Sequence, residues 1–162
     1  MAIKYFPATL CKPVLSETVG FFDQAFPMAD LTAQNMTTQM GVHFEEVSEM
    51  VAEITSCDLV TNEALLNAKI ALTHLADHLK AHPGCAVILT DNRKSYLDAL
   101  VDQLVTAVGC ARNEDMDIVG GLDEVNRSNF SKFVNGKPTY HPETAKLLKG
   151  PNYSPAELDP FI

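Results

Sequence analysis

The segment from Pro13 to Ala68 contains no Lys or Arg, although it holds nine Asp and Glu residues. The rest of the chain carries twelve acidic and twelve basic residues, so the formal net charge of −9 arises entirely in this segment. A protein that binds the phosphate backbone of nucleic acids needs a basic face that displaces counterions. The charge distribution therefore argues against a nucleic acid polymer as the partner.

Signals for export and for membrane insertion are also missing. The N-terminal residues show no basic segment followed by an apolar stretch, and no window approaches the roughly 18 consecutive apolar residues of a membrane span. The four cysteines form no CxxC pair. We therefore expect reduced thiols in a cytoplasmic protein, and the length of 162 residues predicts a single domain over 1–162.

Several catalytic signatures are absent from the chain. It has no phosphate-binding loop of the form GxxxxGK[ST], no HExxH zinc motif and no GxSxG nucleophile turn. No Glu has a His three residues later, which argues against a ferritin-like diiron protein.

The spacing of apolar residues is helical throughout and predicts an all-α bundle of about five helices. The expected helices run from about Ser16 to Phe26, from Asp30 or Thr32 to about Thr55, from a cap at Thr61 to His82, from Thr90 or Asp91 to about Val108, and from about Gly120 to Phe133. In the fourth helix we expect an inward-facing stripe, formed by Leu97, Leu100, Val101, Leu104, Val105 and Val108. Residues 135–162 are rich in turn residues and are expected to form an extended arm lying on the helices.

Acidic residues concentrate on one face of the second expected helix. At about 100° per residue, Glu45, Glu46, Glu49 and Glu53 share a face beside the apolar stripe. Such like-charged neighbours destabilise a helix unless Lys or Arg stands nearby, and this helix supplies none. Asp98 and Asp102 form a second acidic pair on the fourth helix. Carboxylates on two packed helices would suit Mg²⁺ completed by substrate phosphates, whereas the alternative is a solvated acidic surface.

Four segments together resemble one family, the MazG-like all-α nucleoside triphosphate pyrophosphohydrolases, which include dimeric dUTPases and phosphoribosyl-ATP pyrophosphohydrolase. The matching segments are Glu45-Glu46-Val47-Ser48-Glu49, which is similar to the EExxE motif; Asp98 to Asp102, which is similar to the second acidic motif; Glu124 to Lys132, which is similar to EVxxSNxSK; and Lys149-Gly150-Pro151-Asn152-Tyr153, which is similar to KGPNY. They occur in the family's order and span most of the chain. One departure is that Ala99 stands where the second motif usually has Glu.

The resemblance implies hydrolysis of a nucleoside triphosphate between its α- and β-phosphates, which releases pyrophosphate and a monophosphate. It implies Mg²⁺ as cofactor, with Mn²⁺ able to substitute, and a homodimer or homotetramer. The implied site comprises the metal ligands Glu46, Glu49, Asp98 and Asp102, the catalytic base Glu45, and the substrate-binding residues Asn126, Asn129, Lys132, Lys149 and Tyr153.

Each of these residues also has a structural alternative. Asn side chains on a helix are often solvated, Lys132 could offset a helix dipole, and Tyr153 could anchor the arm. For the whole protein, the alternative is a non-catalytic helical adaptor whose acidic patch binds a basic partner protein.

Overall fold

The computed structural model describes residues 14–27, 32–142 and 146–162. These residues form five α-helices and no β-strand, which confirms the all-α prediction. The helices are α1 (Val14–Ala25), α2 (Ala33–Ala52), α3 (Leu59–Ala81), α4 (Arg93–Asn113) and α5 (Ile118–Phe130), with short 3₁₀ turns at Thr90–Asn92 and Asp159–Phe161. Within these ranges no helix combines the length and the apolar character needed to cross a membrane.

The chain divides into two compact units. The hairpin unit is the continuous segment Ala29–Tyr96 and contains α2 and α3. The split unit joins Met1–Met28 to Leu97–Ile162 and contains α1, α5, most of α4 and the C-terminal arm.

In the hairpin unit, α2 and α3 pack against each other as antiparallel helices. Gly41 on α2 lies against the backbone of Ala76 and Lys80, so a Cβ atom at Gly41 would come within 2.8 Å of the Ala76 carbonyl oxygen. Further along the pair, the buried Ser48 hydroxyl is 2.7 Å from the hydroxyl of Thr73. Small residues therefore permit a close approach, and one polar contact fixes the register of the two helices.

Helix caps show where local sequence predicts boundaries correctly. The Thr32 side chain accepts a hydrogen bond from the Asn35 backbone N–H at the start of α2, which confirms Thr32 as the cap, while Asp30 lies outside the described residues. The predicted cap Thr61 is wrong. Asp58 caps α3 instead, because its carboxylate accepts both the backbone N–H and the hydroxyl of Thr61.

The split unit has an aromatic core between α1 and α5. Phe21 stacks on Phe133 with ring centroids 5.6 Å apart and meets Phe130 edge-on at 5.7 Å. Ala25 completes the buried centre. Ser16, the predicted cap of the first helix, lies inside α1, which already includes Val14.

Asn126 on α5 is buried and connects α5 to α1. Its Nδ2 donates to the Val14 carbonyl at 2.9 Å, and its Oδ1 accepts from the Thr18 hydroxyl at 2.9 Å. Only 1% of the residue is exposed. Asn126 is among the residues predicted to bind substrate, and the structure places its amide in the packing of α1 against α5.

Helix α4 departs most from expectation. It begins at Arg93, and Thr90 lies in the preceding 3₁₀ turn. No residue of α4 is buried, and five of the six apolar side chains predicted to face inward are exposed. The predicted apolar stripe is present on α4, but the prediction that it is buried is not met.

The C-terminal arm follows α5. Ser154 and Ser131 exchange hydrogen bonds, and near the end of the chain the Asp117 N–H donates to the Phe161 carbonyl at 2.8 Å. As expected from its composition, the described part of residues 135–162 contains no α-helix.

Candidate functional site

An acidic groove of about 280 Å³ lies between α2 and α3. Its lining residues are Glu45, Ser48, Glu49, Ala52, Glu53, Lys69, Thr73, Ala76 and Asp77. Of the four carboxylates that share a face of α2 and its C-cap, Glu45, Glu49 and Glu53 line this groove. Glu46 is exposed and is not among the lining residues.

Lys80 supplies a positive charge that the sequence of α2 alone does not reveal. Its Nζ lies 2.8 Å from Glu45 Oε1 and 3.2 Å from Asp77 Oδ1. The hydrogen bond to Glu45 is the largest reason why the pKa of Lys80 is raised above its ordinary value. The acids of α2 have no Lys or Arg on their own helix, as the sequence shows, but Glu45 receives a counter-charge from Lys80 of the neighbouring helix α3.

The four predicted metal ligands fall in both units. Glu46 and Glu49 lie on α2 in the hairpin unit, whereas Asp98 and Asp102 lie on α4 in the split unit, and all four are exposed. Among residues 14–27, 32–142 and 146–162, no three His, Cys, Asp or Glu side chains are grouped closely enough to hold a metal ion.

A second set of predicted site residues comes together in the split unit because of a turn in the arm. The Tyr153 N–H donates to the Gly150 carbonyl at 3.0 Å, closing a turn that has Pro151 at its second position. The Gly150 N–H also donates to the Lys132 carbonyl at 3.0 Å. A Cβ at Gly150 would approach that carbonyl oxygen to 2.9 Å, so only glycine allows the arm this close to Lys132.

The turn places two lysines around one phenol, forming what we term the cationic cluster: Ser128, Asn129, Lys132, Lys149 and Tyr153. Lys149 Nζ lies 4.4 Å from the centre of the Tyr153 ring, and Lys132 Nζ donates to Asn129 Oδ1 at 2.6 Å. Desolvation raises the pKa of the Tyr153 hydroxyl, but hydrogen bonding to Ser128 and Lys149 outweighs it and lowers that pKa. The cluster therefore favours negative charge.

Of the five residues predicted to bind substrate, the cationic cluster contains four. The exception is Asn126, whose buried amide serves the contact with α1. Sequence reasoning missed Ser128, which belongs to the segment that resembles EVxxSNxSK; it is buried and hydrogen-bonds to the Tyr153 hydroxyl. The sequence signal that could have identified Ser128 is its position one residue before Asn129 in the same matching segment.

A separate ion pair fastens the arm next to the cluster. Arg127 donates to both carboxylate oxygens of Glu124, at 2.7 and 2.6 Å, and to the Pro155 carbonyl at 2.8 Å. The Glu124 carboxylate also accepts the backbone N–H of Glu157. Hydrogen bonding from Arg127, followed by that backbone N–H, lowers the pKa of Glu124 to about 2. This pair anchors the arm on α5 and so supports the position of Lys149 and Tyr153.

Comparison of the chain with protein-family models, with curated protein sequences and with solved structures finds no match. The fold and the two sites define a class of protein. It is an all-α protein with an acidic groove on one helical hairpin and a cationic cluster where the C-terminal arm meets α5.

Proposed function

We propose that this protein is a divalent-metal-dependent nucleoside triphosphate pyrophosphohydrolase, which cleaves between the α- and β-phosphates. The observation that carries the proposal is the cationic cluster, in which residues 128–132 and 149–153 meet although they are distant in sequence. Two ammonium groups, two hydroxyls and an amide offer donors for phosphate oxygens. The resemblance of the same segments to the MazG-like family supports this assignment.

The carboxylates fit the chemistry that Mg²⁺ requires. Mg²⁺ prefers oxygen ligands and is usually held by one or two carboxylates together with substrate phosphates, so a closed cage of protein ligands is not needed. Glu46, Glu49, Asp98 and Asp102 would hold the ion in our proposal, and Mn²⁺ could replace Mg²⁺. When bound, the ion would neutralise phosphate charge and activate water.

Side chains of the protein would bind the phosphates, contact the nucleoside and supply the catalytic base. Lys132 and Lys149 would bind the phosphate oxygens and offset their charge, with Asn129 holding the Lys132 ammonium in place. Tyr153, whose ring lies beside the Lys149 ammonium, would contact the ribose or the base. Glu45 is the candidate base, and its bond to Lys80 fixes the position of its carboxylate.

We further propose a cytoplasmic homo-oligomer, either a dimer or a tetramer, that acts on the monomeric nucleotide and not on a nucleic acid polymer. The acidic excess between Pro13 and Ala68 supports the latter point, since it would repel an extended phosphate backbone.

The metal part of the proposal predicts that Mg²⁺ stabilises the fold. A ligand that binds only the native state at 100 times its Kd adds about 2.7 kcal/mol, so the Tm of the wild type should rise with Mg²⁺ concentration. Replacing Glu49 with Ala should remove most of that rise. Glu63→Ala is the matched control, because Glu63 is an exposed acid on α3 outside the groove. Thermal unfolding with and without Mg²⁺ measures both, and an identical rise in all three proteins would contradict the site.

The second candidate function is a helical adaptor that binds a basic partner protein. Its basis is the acidic groove between α2 and α3, in which Glu45 already pairs with one ammonium group, that of Lys80. The adaptor requires neither a Mg²⁺ response nor nucleotide turnover, so these two measurements separate the candidates.

A further inference from the structure

Three histidines, His74, His78 and His82, recur at four-residue intervals toward the end of α3. Side chains four residues apart lie on the same face of a helix, and two His at this spacing can hold one metal ion between them. The structure brings the second pair together, because the rings of His78 and His82 are stacked with their centroids 4.3 Å apart. In the part of the chain that the structure describes, His74 makes no such ring contact.

The hydrogen bond of the His82 ring identifies the nitrogen that is available to a metal ion. His82 Nδ1 lies 2.9 Å from the His78 carbonyl oxygen. A carbonyl only accepts, so this contact assigns the proton to Nδ1, and Nε2 of the neutral ring keeps its lone pair. Histidines that bind metals usually have this arrangement, in which the second ring N–H is donated to a backbone carbonyl or a carboxylate. His82 therefore presents Nε2 as a ligand.

Hydrogen bonds also hold the backbone of His82 from both sides. Its N–H donates to the His78 carbonyl at 3.0 Å, and its carbonyl accepts from the Cys85 N–H at 3.1 Å. The turn that follows contains Gly84, whose φ is +87° and whose N–H donates to the buried Thr37 hydroxyl of α2 at 2.6 Å. The packing of α2 on α3 thus fixes the end of α3, so the two rings lose little freedom when they bind an ion.

The end of α3 also suits a cation electrostatically. The C-terminus of a helix carries the negative end of the helix dipole, and His82 is the C-cap of α3. Lys80 in the same turn is already neutralised, because its ammonium pairs with Glu45 and Asp77. Imidazole nitrogens suit Zn²⁺, Cu²⁺ and Ni²⁺, whereas Mg²⁺ prefers oxygen ligands. The pair therefore selects a transition metal.

We infer that His78 and His82 form a binding site for a divalent transition-metal ion of the Zn²⁺ and Ni²⁺ type, which one nitrogen of each ring holds. Over the described ranges no third His, Cys, Asp or Glu joins these two rings, so water completes the coordination. An ion about 2.0–2.1 Å from each nitrogen would tie the last turn of α3 together. The site differs in ion and ligands from the proposed Mg²⁺ site and does not depend on nucleotide hydrolysis.

Calorimetric titration of the full chain with Ni²⁺ tests the two ligands. Ni²⁺ is the probe because imidazole suits it, whereas thiolates select softer ions. His78→Ala and His82→Ala should each weaken binding at least about tenfold, since loss of even an outer-shell partner typically costs about 10- to 100-fold. His74→Ala is the matched control on the same helix and should bind Ni²⁺ as the wild type does. No binding by the folded wild type, or equal affinity in His74→Ala and His82→Ala, overturns the inference.

Thermal unfolding with each ion separates this site from the acidic groove. Ni²⁺ should raise the Tm of the wild type and of Glu49→Ala, but it should raise the Tm of His82→Ala much less, because that variant lacks one of the two ligands. Circular dichroism checks that all three proteins keep their helix content. A Ni²⁺ response that persists in His82→Ala and disappears in Glu49→Ala would assign the ion to the groove and refute the histidine site. The Mg²⁺ response of Glu49→Ala bears only on the proposed function.

Discussion

Replacing Lys132 with Met is expected to lower kcat/KM for a nucleoside triphosphate by about 10²- to 10³-fold, the typical effect of removing one preorganised donor from a developing charge. Lys132 is preorganised because Asn129 accepts from its ammonium at 2.6 Å and its carbonyl holds Gly150 of the arm. Its ammonium also lies 6.0 Å from the centre of the Phe21 ring. Methionine keeps the apolar stem over the aromatic core and removes only the charge and the donors.

The matched control for this variant is Lys137→Met. Lys137 is exposed, and its described contacts are backbone hydrogen bonds to Val134, which the substitution leaves intact. Steady-state kinetics with both variants should give a large loss for Lys132→Met and little change for Lys137→Met. Comparable losses in the two variants would mean that general surface charge matters, and not the cationic cluster.

Replacing Gly41 with Ala should destabilise the protein, although the same substitution usually stabilises a helix. A Cβ at Gly41 would lie 2.8 Å from the Ala76 carbonyl oxygen and 2.8 Å from Lys80 Cγ. The lysine side chain can move, but the carbonyl belongs to the backbone of α3, so α2 and α3 must separate. Overpacking of this kind typically costs about 1–3 kcal/mol, which exceeds the gain of up to about 1 kcal/mol in helix propensity.

Gly109→Ala on α4 provides a control with the opposite sign. Gly109 is also inside a helix, but no atom lies within 4 Å of the position its Cβ would take. There the substitution should stabilise the protein by up to about 1 kcal/mol, because only helix propensity changes. Urea unfolding of the two variants measures both free energies. Stabilisation by Gly41→Ala would contradict the close packing of α2 on α3.

The sequence predicts features that depend on near neighbours in the chain. The Thr32 cap and the shared face of Glu45, Glu49 and Glu53 follow from helical geometry over a few residues, and the structure has both. Only the resemblance to a family indicates that Lys132 and Lys149 belong to one site. What fixes it physically is the Gly150 turn, whose fit against Lys132 is a tertiary contact.

Features that depend on a distant partner were not predictable in the same way. Periodicity indicates that Leu97, Val101 and Leu104 form an apolar stripe on α4, but it does not indicate what, if anything, packs against that stripe. The pairing of Lys80 with Glu45 joins residues 35 positions apart in the sequence. The hydrogen bond that holds the buried Asn126 comes from Thr18 of α1, which is 108 positions away in the sequence. Residue spacing along one helix carries no information about such partners.

Pyrophosphate release is the most direct test of the proposed function. The wild-type protein should convert at least one nucleoside triphosphate from a panel of ribo- and deoxyribonucleotides, with Mg²⁺ present, into equal amounts of pyrophosphate and the monophosphate. Glu46→Ala should be strongly impaired on the same nucleotide while keeping its helix content. Release of orthophosphate in place of pyrophosphate would contradict the assigned bond, and no turnover of any nucleotide by folded protein would contradict the enzyme itself.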